Sequence, residues 1–431
     1  MKGLGISHFQ GCIRTHRLPH IIQLQRYVIL KIPRQSYTAE FKRDAVTLQR
    51  PEGRIVASAG SVNDGAALSR EAAGRRIDFV FLILDMASSA FSGNDNPRPD
   101  SQTGNAEDET VPERARWSVD WARPEDETEL LKLFRRVFGH PISAAQWRWK
   151  YSPETSAGTV VRRQGKVVAF YGGIPRPIHF RGRPAMAVQI GDVMVDPAER
   201  GVLTRKGPIF LATSMFLEQR IGVGKPYLFG FGFPTERHMK VAERLGLYVK
   251  VDELLEATWP ALPGYLGLTR HARPLLPEQM TAVGRLWSRM AASAGEVAIG
   301  VRDAAYVRHR FLDHPTVRYL CLLVTPWLRR DPLGLVVLRD RGTEGVELID
   351  VVGPPGAICA LVDAARRAAG RLHRSRLFAW LTPSAARWFA ESRATLTPTG
   401  FVIPASRLDV PANALQVHGR WWLTGGDTDF R

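Results

Sequence analysis

The sequence predicts an α+β fold, in which a mixed sheet is flanked by helices and the arrangement occurs twice in tandem. The apolar run 188–195 is typical of a buried strand, and a helix-like segment begins at Pro208 after a glycine-bounded loop. Residues 159–170 have the alternation and the central turn signal of a β-hairpin. The segment 304–311 repeats the pattern of 144–151, with paired alanines, two basic residues and a closing aromatic residue, which predicts a second, diverged domain.

The predicted elements of the first domain follow one another as strand, helix, helix, four antiparallel strands, helix, strand and helix. Their residues are 118–124, 125–138, 142–151, 159–170, 174–180, 185–195, the segment from Pro208, 226–233 and 235–245. The second domain has a helix at 278–291, strands at 319–324, 333–339 and 345–352, and a helix at 358–370. In this order the strand 185–195, called the central strand below, is followed by the strand 226–233.

Composition divides the chain into five parts. They are an N-terminal extension 1–85, a disordered linker 86–116, a first domain 117–260, a connection 261–277 and a second domain 278–431. The linker is polar and rich in glycine and proline, so it cannot bury enough apolar surface to offset the entropy lost on ordering.

Part of the extension, residues 33–48, resembles the opening of the small helix-turn-helix subunit of insertion-sequence transposases. The resemblance rests on Tyr-x-x-Glu-Phe-Lys followed by Ala-Val-x-Leu, which places Phe41, Ala45 and Val46 on one helical face. No recognition helix is evident after it. We interpret the extension as the remnant of a mobile element, with a DNA-binding arm over residues 33–76 as the alternative.

The chain has 431 residues and a formal net charge of +17, which favours an anionic partner such as nucleic acid, anionic lipid or a phosphorylated cofactor. Its three cysteines lack the spacing of a metal site and are too few for a disulfide framework. The longest apolar run, 79–84, is too short to span a bilayer. We therefore expect a cytoplasmic protein with no metal and no membrane span.

The loop after the central strand has the features of a phosphate-binding site. Asp196-Pro197 ends the strand and Pro208 begins the helix, and the loop between them carries three basic side chains. They are Arg200, Arg205 and Lys206. Unpaired backbone N–H groups and the positive end of the helix dipole meet at the same point. The alternative is an ordinary strand-to-helix connection whose basic residues are merely solvated.

The same stretch resembles the central motif of the GNAT family of N-acetyltransferases. That motif is a strand ending in Val-x-Pro, then Arg-x-x-Gly-x-Gly and a helix. The stretch from Val195 to Gly201 matches its first part, whereas the next glycine is Gly207, so the loop is longer than usual. A second family element, a helix that ends in Leu-Gly, has its counterpart between Thr235 and Gly246. The resemblance covers residues 117–260, and a weaker similarity appears in the second domain, where 304–311 repeats the pattern of 144–151.

The resemblance implies that acyl-CoA lies between two splayed central strands. Acetyl-CoA or another acyl-CoA would be the donor, and an amine that the sequence does not identify would be the acceptor. The loop would grip the pyrophosphate, with Gly207 allowing a close backbone approach, and the strand end would pair with the pantetheine arm. The cofactor-binding residues implied are Val193, Met194, Val195, Arg200, Gly201, Val202, Thr204, Arg205, Lys206, Gly207 and Thr235.

The family also implies a catalytic base, because a carboxylate on or beside the central strand often takes the proton of the amine. Asp192 is the main candidate, and Glu236 and His238 are others. A strand-edge carboxylate that only pairs with an arginine is the alternative interpretation of Asp192.

The proton donor to the leaving thiolate is less well marked. The family commonly has a tyrosine four residues before the glycine of its Leu-Gly element, and this chain has Ala242 there. The role would then pass to Tyr227, with Tyr248, Tyr171 or water as alternatives.

The second domain lacks the signals of a cofactor site. Its counterpart of the loop, 351–356, has no arginine, and Pro354 and Pro355 have no N–H to donate. Our hypothesis from the sequence is a bacterial, cytoplasmic N-acetyltransferase. The alternatives are a non-catalytic acyl-CoA-binding or regulatory protein, which Ala242 favours, and a DNA-binding protein that acts through the N-terminal region.

Overall fold

The structure, a computed structural model, describes residues 116–152, 157–264, 270–327, 331–407 and 415–431. The N-terminal extension, including the transposase-like stretch 33–48, and the linker up to residue 115 lie outside the described residues. The described part contains both predicted regions of alternating helices and strands.

Helices and strands are numbered in chain order. The first are β1 (Ser118–Trp121), α1 (Glu127–Phe138), α2 (Ala144–Lys150), β2 (Ala157–Arg163), β3 (Lys166–Phe180), β4 (Arg183–Val195), α3 (Pro208–Arg220), β5 (Phe229–Phe231), α4 (Glu236–Arg244) and β6 (Tyr248–Pro260). The others are β7 (Arg270–Pro274), α5 (Met280–Ala292), β8 (Ala298–Gly300), α6 (Ala304–Val307), β9 (Leu320–Pro326), β10 (Gly334–Asp340), β11 (Val346–Val352), α7 (Ile358–Arg371), β12 (Arg376–Leu381), α8 (Pro383–Trp388), β13 (Thr395–Ser406) and β14 (Trp421–Trp422). None of the described helices is long and apolar enough to cross a membrane.

The first sheet has the strand order β1-β2-β3-β4-β5. Neighbouring strands are antiparallel except for β4 and β5, which are parallel because α3 carries the chain back between them. Helix α1 packs against one face of the sheet and α3 against the other. Strand β8 extends the sheet beside the far end of β3, and β14 pairs with β8.

Strand β3 runs for 15 residues without a break, whereas the sequence predicts two separate strands over this region. Gly172 lies inside it, between the two predicted strands. A Cβ atom at Gly172 would lie 2.4 Å from the hydroxyl of Tyr151 and 2.7 Å from the carbonyl oxygen of Gly191. Glycine is therefore required there by close approach of neighbouring groups rather than by a turn.

The second sheet has the strand order β13-β6-β12-β11-β10-β9-β7, with β11 and β12 parallel and joined through α7. Apart from β8, which lies between the two helices and pairs in the first sheet, the elements from β7 to β12 repeat the order seen from β1 to β5: a strand, two helices, three antiparallel strands, a helix and a parallel strand. Strand β6 pairs with β12 and β13. It thus lies in the second sheet, although a boundary at residue 260 would leave it with the first domain.

One hydrophobic cluster joins the two sheets. Ile178 and Phe231 from the first sheet pack in it with Val251 and Trp380 from the second. Trp421, near the C-terminus, belongs to the same cluster and is fully buried. Burying large apolar side chains of both sheets in one core fixes the sheets against each other.

Candidate functional site

The centre of the candidate site is an irregular point in β4. There β4 has two residues, Asp192 and Val193, opposite the single residue Tyr171 of β3. Asp192 has a φ of +48°, in the left-handed region where aspartate is several-fold enriched among residues other than glycine. A bulge of this kind turns a side chain away from the regular alternation of a strand. It therefore re-aims the carboxylate of Asp192.

Strands β4 and β5 separate close to this bulge. Their parallel pairing ends with Gln189 opposite Phe231. Beyond that pair, no strand in the described part of the chain pairs with the same edge of β4, so no strand covers this edge of 193–195, although the carbonyl oxygen of Val195 accepts a hydrogen bond from Nε of Arg200. The side chain of Val193 is 42% exposed, whereas Met194 is buried. This is the splayed arrangement that the sequence resemblance predicts.

The loop from Arg200 to Gly207 leads from β4 into α3, whose first residue is Pro208 as predicted. Two of its backbone N–H groups, those of Leu203 and Gly207, donate to carbonyl oxygens inside the loop. Four others donate to no backbone acceptor in the described ranges: Gly201, Val202, Thr204 and Arg205. That of Lys206 donates to Oγ1 of Thr204 at 3.3 Å. The side chains of Arg205 and Lys206 are exposed. Unpaired N–H groups and two exposed cations thus lie together at the start of a helix.

The structure gives Gly207 a cause other than the close approach to a pyrophosphate that the sequence suggested. A Cβ atom at this position would lie 1.9 Å from the carbonyl oxygen of Val202. Glycine is required because the loop folds back over it, whatever binds outside. Gly201, at the other end of the loop, has a φ of +99°, which favours glycine for its backbone conformation.

Arg200 is only partly satisfied by the protein. Its Nε donates to the carbonyl oxygen of Val195 at 3.1 Å, while its Nη2 is buried and has no hydrogen-bond partner among the described residues. Burial lowers the pKa of Arg200, against the opposing effect of Asp196. A buried guanidinium N–H without an acceptor fits an anion that approaches this loop.

Thr235 begins helix α4, as the sequence predicts. Its side-chain oxygen caps the helix by accepting a hydrogen bond of 3.5 Å from the backbone N–H of His238. The same oxygen lies 2.9 Å from Nδ1 of His238. Gly246 follows the helix, and a Cβ there would lie 3.6 Å from Nη2 of Arg205. The two motif elements that carried the resemblance are therefore neighbours in space.

Asp192 belongs to a buried cluster of charges. Its carboxylate contacts Nζ of Lys150 and accepts a hydrogen bond of 2.9 Å from the hydroxyl of Tyr151. Nζ of Lys150 also lies 2.5 Å from Oδ2 of Asp429. The side chains of Asp192, Lys150 and Asp429 are 10%, 5% and 7% exposed. The partner of Asp192 is thus a lysine and a tyrosine instead of the arginine considered in the alternative interpretation.

One ammonium between two carboxylates leaves this cluster with an excess negative charge. Burial opposes the charge on Lys150, but the two aspartates outweigh it and raise its pKa. Burial also opposes the ionisation of Asp429, yet Lys150 outweighs it and lowers the pKa. Burial raises the pKa of Asp192. Lys150 lowers this pKa and Asp429 raises it, and the net shift is upward. Asp192 is therefore the carboxylate of the cluster that takes up a proton first.

Tyr227, the predicted proton donor, is not brought to this cluster. Its side chain packs against α3 with Phe216, on one face of the sheet. Tyr151, which contacts Asp192, belongs to the cluster on the opposite face, with α1. Tyr171 and Tyr248 contact each other through their hydroxyls on the same face as Tyr227, and burial raises the pKa of both. All three phenols are therefore protonated at neutral pH.

Three residues of the cluster are absent from the sequence prediction: Lys150, Tyr151 and Asp429. The internal repeat carries a signal for the first, because Lys150 occupies the place of Arg310 in the second copy of the pattern. Arg310 holds the same C-terminal segment, donating to the carbonyl oxygens of Gly426 at 3.0 Å and Thr428 at 2.9 Å. No local pattern marks Asp429. In the described part of the chain, no group of three or more His, Cys, Asp or Glu could hold a metal ion.

Comparison with protein families agrees with this geometry. Residues 118–216, from β1 into α3, match the family model described as an acetyltransferase (GNAT) domain. The chain contains a GNAT domain. The matched residues of the GNAT domain include the bulge at Asp192 and the whole loop up to Gly207. No curated protein matches the chain.

Solved structures share the fold at low sequence identity. A GCN5-related N-acetyltransferase from Anabaena variabilis ATCC 29413 has 12% identity and a TM-score of 0.53, over 68% of this chain and 73% of that one. A conserved protein of unknown function from Enterococcus faecalis V583, described as "Probable N-Acyltransferase", has 12% identity and a TM-score of 0.50, over 67% and 71%. Both matches cover more of this chain than the GNAT domain alone, so the likeness in fold includes part of the second half.

Proposed function

We propose that the chain is an N-acyltransferase that transfers the acyl group of acetyl-CoA, or of another acyl-CoA, to an amine. The observation that carries the proposal is the bulge in β4, because it brings Asp192 to the point where β4 and β5 separate. A proton acceptor, an uncovered strand edge and a basic loop then follow one another along a single strand–loop–helix unit of the GNAT domain.

The residues after the bulge suit the phosphates of CoA. The buried Nη2 of Arg200 lacks a partner among the described residues, and the first turn of α3 presents N–H groups that have no intrahelical acceptor. The uncovered backbone edge of 193–195 would pair with the pantetheine arm, and Thr235 would face it from the start of α4. When bound, the acyl-CoA supplies an activated thioester.

Asp192 would accept the proton that the amine loses when its nitrogen bonds to the acyl carbon. The C–S bond breaks in the same reaction, and the sulfur leaves with the electron pair and takes up a proton to form the thiol. The raised pKa of Asp192, which burial causes, makes the carboxylate a better proton acceptor. Lys150 and Tyr151 hold it in place. Tyr227 remains the proposed donor to the sulfur, with Tyr248 as the alternative.

We further propose that the second half is a diverged copy of the GNAT domain with no cofactor of its own. The repeated order of elements from β7 to β12 supports this. Between β11 and α7 the chain has no counterpart of the long basic loop, and a turn begins directly at Pro355. With domains at 117–260 and 278–431, β6 would be a strand that the first copy contributes to the second sheet.

A non-catalytic acyl-CoA-binding protein is the second candidate. Two observations favour it: Ala242 replaces the usual tyrosine, and Tyr227 lies on the other face of the sheet from Tyr151. The cytoplasmic location remains a prediction from cysteine usage. A role in DNA binding through residues 33–76 concerns residues outside the described ones and also remains a prediction.

The test of the cofactor site is calorimetry with acetyl-CoA on Arg200→Ala. A charge-assisted contact to phosphate stabilises binding by roughly 1.5–3 kcal/mol, so the affinity should fall by about 10- to 150-fold. Arg183, exposed at the far end of β4, is the matched control, and Arg183→Ala should bind as the wild type does. An unchanged affinity in folded Arg200→Ala would remove the site.

Release of free CoA with a panel of amines distinguishes the two candidate functions. The acyltransferase should release thiol in an amine-dependent manner. Binding of acetyl-CoA without release with any amine would favour the non-catalytic protein. Comparison of Tyr227→Phe with Tyr248→Phe in the same assay identifies the proton donor, because only loss of the true donor should slow release.

A further inference from the structure

A cavity of about 340 Å³ lies between the GNAT domain and the second half. Its volume is in the range of sites that hold small molecules. Much of its wall is apolar, contributed by Ile174, Pro175, Ile178, Phe231, Trp421 and Leu423. The cavity also reaches Lys150, whose ammonium contacts Asp192, so it adjoins the charge cluster described above.

Four charged side chains line the cavity. Two of them form ion pairs within the protein, a third caps a helix, and the fourth donates hydrogen bonds to a neutral side chain. Lys150 lies between the two carboxylates of its cluster. Asp427 lies 2.5 Å from Nη2 of Arg302. Asp303 caps α6, where its Oδ1 accepts a hydrogen bond of 2.9 Å from the backbone N–H of Tyr306. None of these three requires a ligand to balance its charge.

The fourth, Arg176 on β3, is different. Its Nε and Nη2 both donate to the neutral Oε1 of Gln189, at 2.9 and 2.6 Å. No carboxylate of the described residues lies within 4.0 Å of its guanidinium. Burial lowers the pKa of Arg176, and the more distant charges of Asp427 and Asp429 only partly oppose this shift, so an anion in contact with the guanidinium would stabilise its charge further. The planar guanidinium can hold a carboxylate through the N–H groups that do not donate to Gln189.

A chain of hydrogen bonds connects this guanidinium to the proposed base. Arg176 donates to Gln189, and Nε2 of Gln189 donates to Oδ1 of Asp429 at 2.9 Å. Lys150 then joins Asp429 to Asp192. A ligand held on Arg176 would therefore lie in a cavity whose polar wall is continuous with the site of proton transfer.

We propose that this cavity is the acceptor site and that Arg176 binds a carboxylate of the acceptor. The acceptor is then a small amine that also carries a carboxylate and an apolar body, as a hydrophobic amino acid does. This inference rests on the proposed acyltransferase function, and it names the substrate class of that function. The three features each have a counterpart: Arg176 for the carboxylate, the apolar wall for the body, and Asp192 for the amine proton.

The test is calorimetry on the full chain saturated with CoA, with L-phenylalanine and L-phenylalaninamide as probes. Phenylalanine should bind, and the amide, which lacks the carboxylate, should bind at least about 10-fold more weakly. Arg176→Gln should lower the affinity for phenylalanine by about 10- to 100-fold and leave the amide unchanged. Arg176→Lys should restore part of the loss, and Arg183→Gln, a surface arginine on the neighbouring strand, should change nothing.

Several outcomes would overturn the acceptor site. They are equal binding of acid and amide, no binding of phenylalanine, or an equal loss for both probes in folded Arg176→Gln. Failure of the acyltransferase function looks different. Phenylalanine would then bind through Arg176, yet no amine would release CoA from acetyl-CoA. Conversely, CoA release with amines that lack a carboxylate, in preference to phenylalanine, would keep the acyltransferase and remove the inference.

Discussion

Each half of the molecule holds an aspartate against a buried cation and a carboxylate of the C-terminal segment, but only in the first half is that aspartate partly exposed. Asp192 on β4 and Asp350 on β11 each lie near a bulge, five residues before the proline that begins the next turn. Asp192 contacts Lys150, and Asp350 lies 3.0 Å from Nε of Arg302. The C-terminal segment adds a second carboxylate to each, Asp429 to the first and Asp427 to the second.

The two sites differ in access. The side chains of Arg302 and Asp350 are 0% exposed, and the hydroxyls of Tyr306 and Thr424 donate to Asp350 at 3.0 Å each. Asp192 keeps 10% exposure. The cavity adjoins both sites, because Lys150 of the first and Asp427 of the second line it. A long basic loop follows the strand of Asp192, whereas a turn begins at Pro355 soon after the strand of Asp350. A buried aspartate with a cation is therefore, by itself, a structural feature. It becomes a candidate catalytic site where an uncovered strand edge and a basic loop meet it.

The largest expected effect is on catalysis, from Asp192→Asn. The substitution keeps size and hydrogen bonding but removes the proton acceptor, and general bases contribute about 10²- to 10⁴-fold. Turnover should fall by at least the lower figure while the affinity for acetyl-CoA, measured by calorimetry, stays near that of the wild type. A protein of reduced stability whose activity per folded molecule is intact would instead assign Asp192 the structural role of Asp350.

The matching substitution in the closed site, Asp350→Asn, should act on stability. Removing one partner of a fully buried ion pair costs about 3–5 kcal/mol, because the remaining charge stays buried. Urea denaturation should show this loss, and CoA release per folded molecule should be unchanged. If turnover collapses while the denaturation curve does not move, the second half takes part in the chemistry and the contrast between the halves is wrong.

A further buried aspartate, Asp252 on β6, serves as a reference for the other two. Of the three substitutions, that of Asp252 should have the smallest effect. It is 6% exposed and has no cation within 4.0 Å among the described residues, and burial raises its pKa to about 6. The folded chain therefore keeps this proton to higher pH than the unfolded chain, in which the pKa is about 3.9. The free energy of unfolding should fall as pH rises from about 4 to about 6, and the loss should persist above that range.

Asp252→Asn removes this penalty. It should raise the free energy of unfolding by about 2–3 kcal/mol at pH 8 and leave it unchanged at pH 4. Thermal or urea unfolding at the two pH values measures the difference. An equal effect at both would mean that packing, and not ionisation, is what the substitution changes.

The local elements could be predicted because their causes are local. Pro208 begins α3 since its missing N–H has no partner in a first turn, and Thr235 begins α4 since its hydroxyl caps the next turn. The alternation of 159–170 predicts a hairpin whatever packs against it. The residues that carried the resemblance to GNAT proteins, from Val195 to Gly207, form a continuous stretch, and for that reason a family pattern could be recognised in it.

The cluster around Asp192 could not be predicted in the same way. Gln189 and Asp429, which share a hydrogen bond, are 240 positions apart in the chain. Alternation in a strand indicates which face a side chain occupies, but not what lies against that face. The strand pattern likewise could not show that β6 pairs in the second sheet. Nor could it show that the side chains of Tyr227 and Tyr151 lie on opposite faces of the first sheet.

By itself, the sequence determined the order of the elements, the basic loop after the central strand and the likeness to a known family of acyltransferases. These follow from backbone preferences and helix caps, which act over a few residues. Only the tertiary structure decided which aspartate is open and which is closed. It also decided that Lys150 lies between the first aspartate and Asp429, and that Arg176 in the cavity forms no ion pair with the other described residues. The physical reason is that burial and charge pairing depend on residues that the fold brings together from distant parts of the chain.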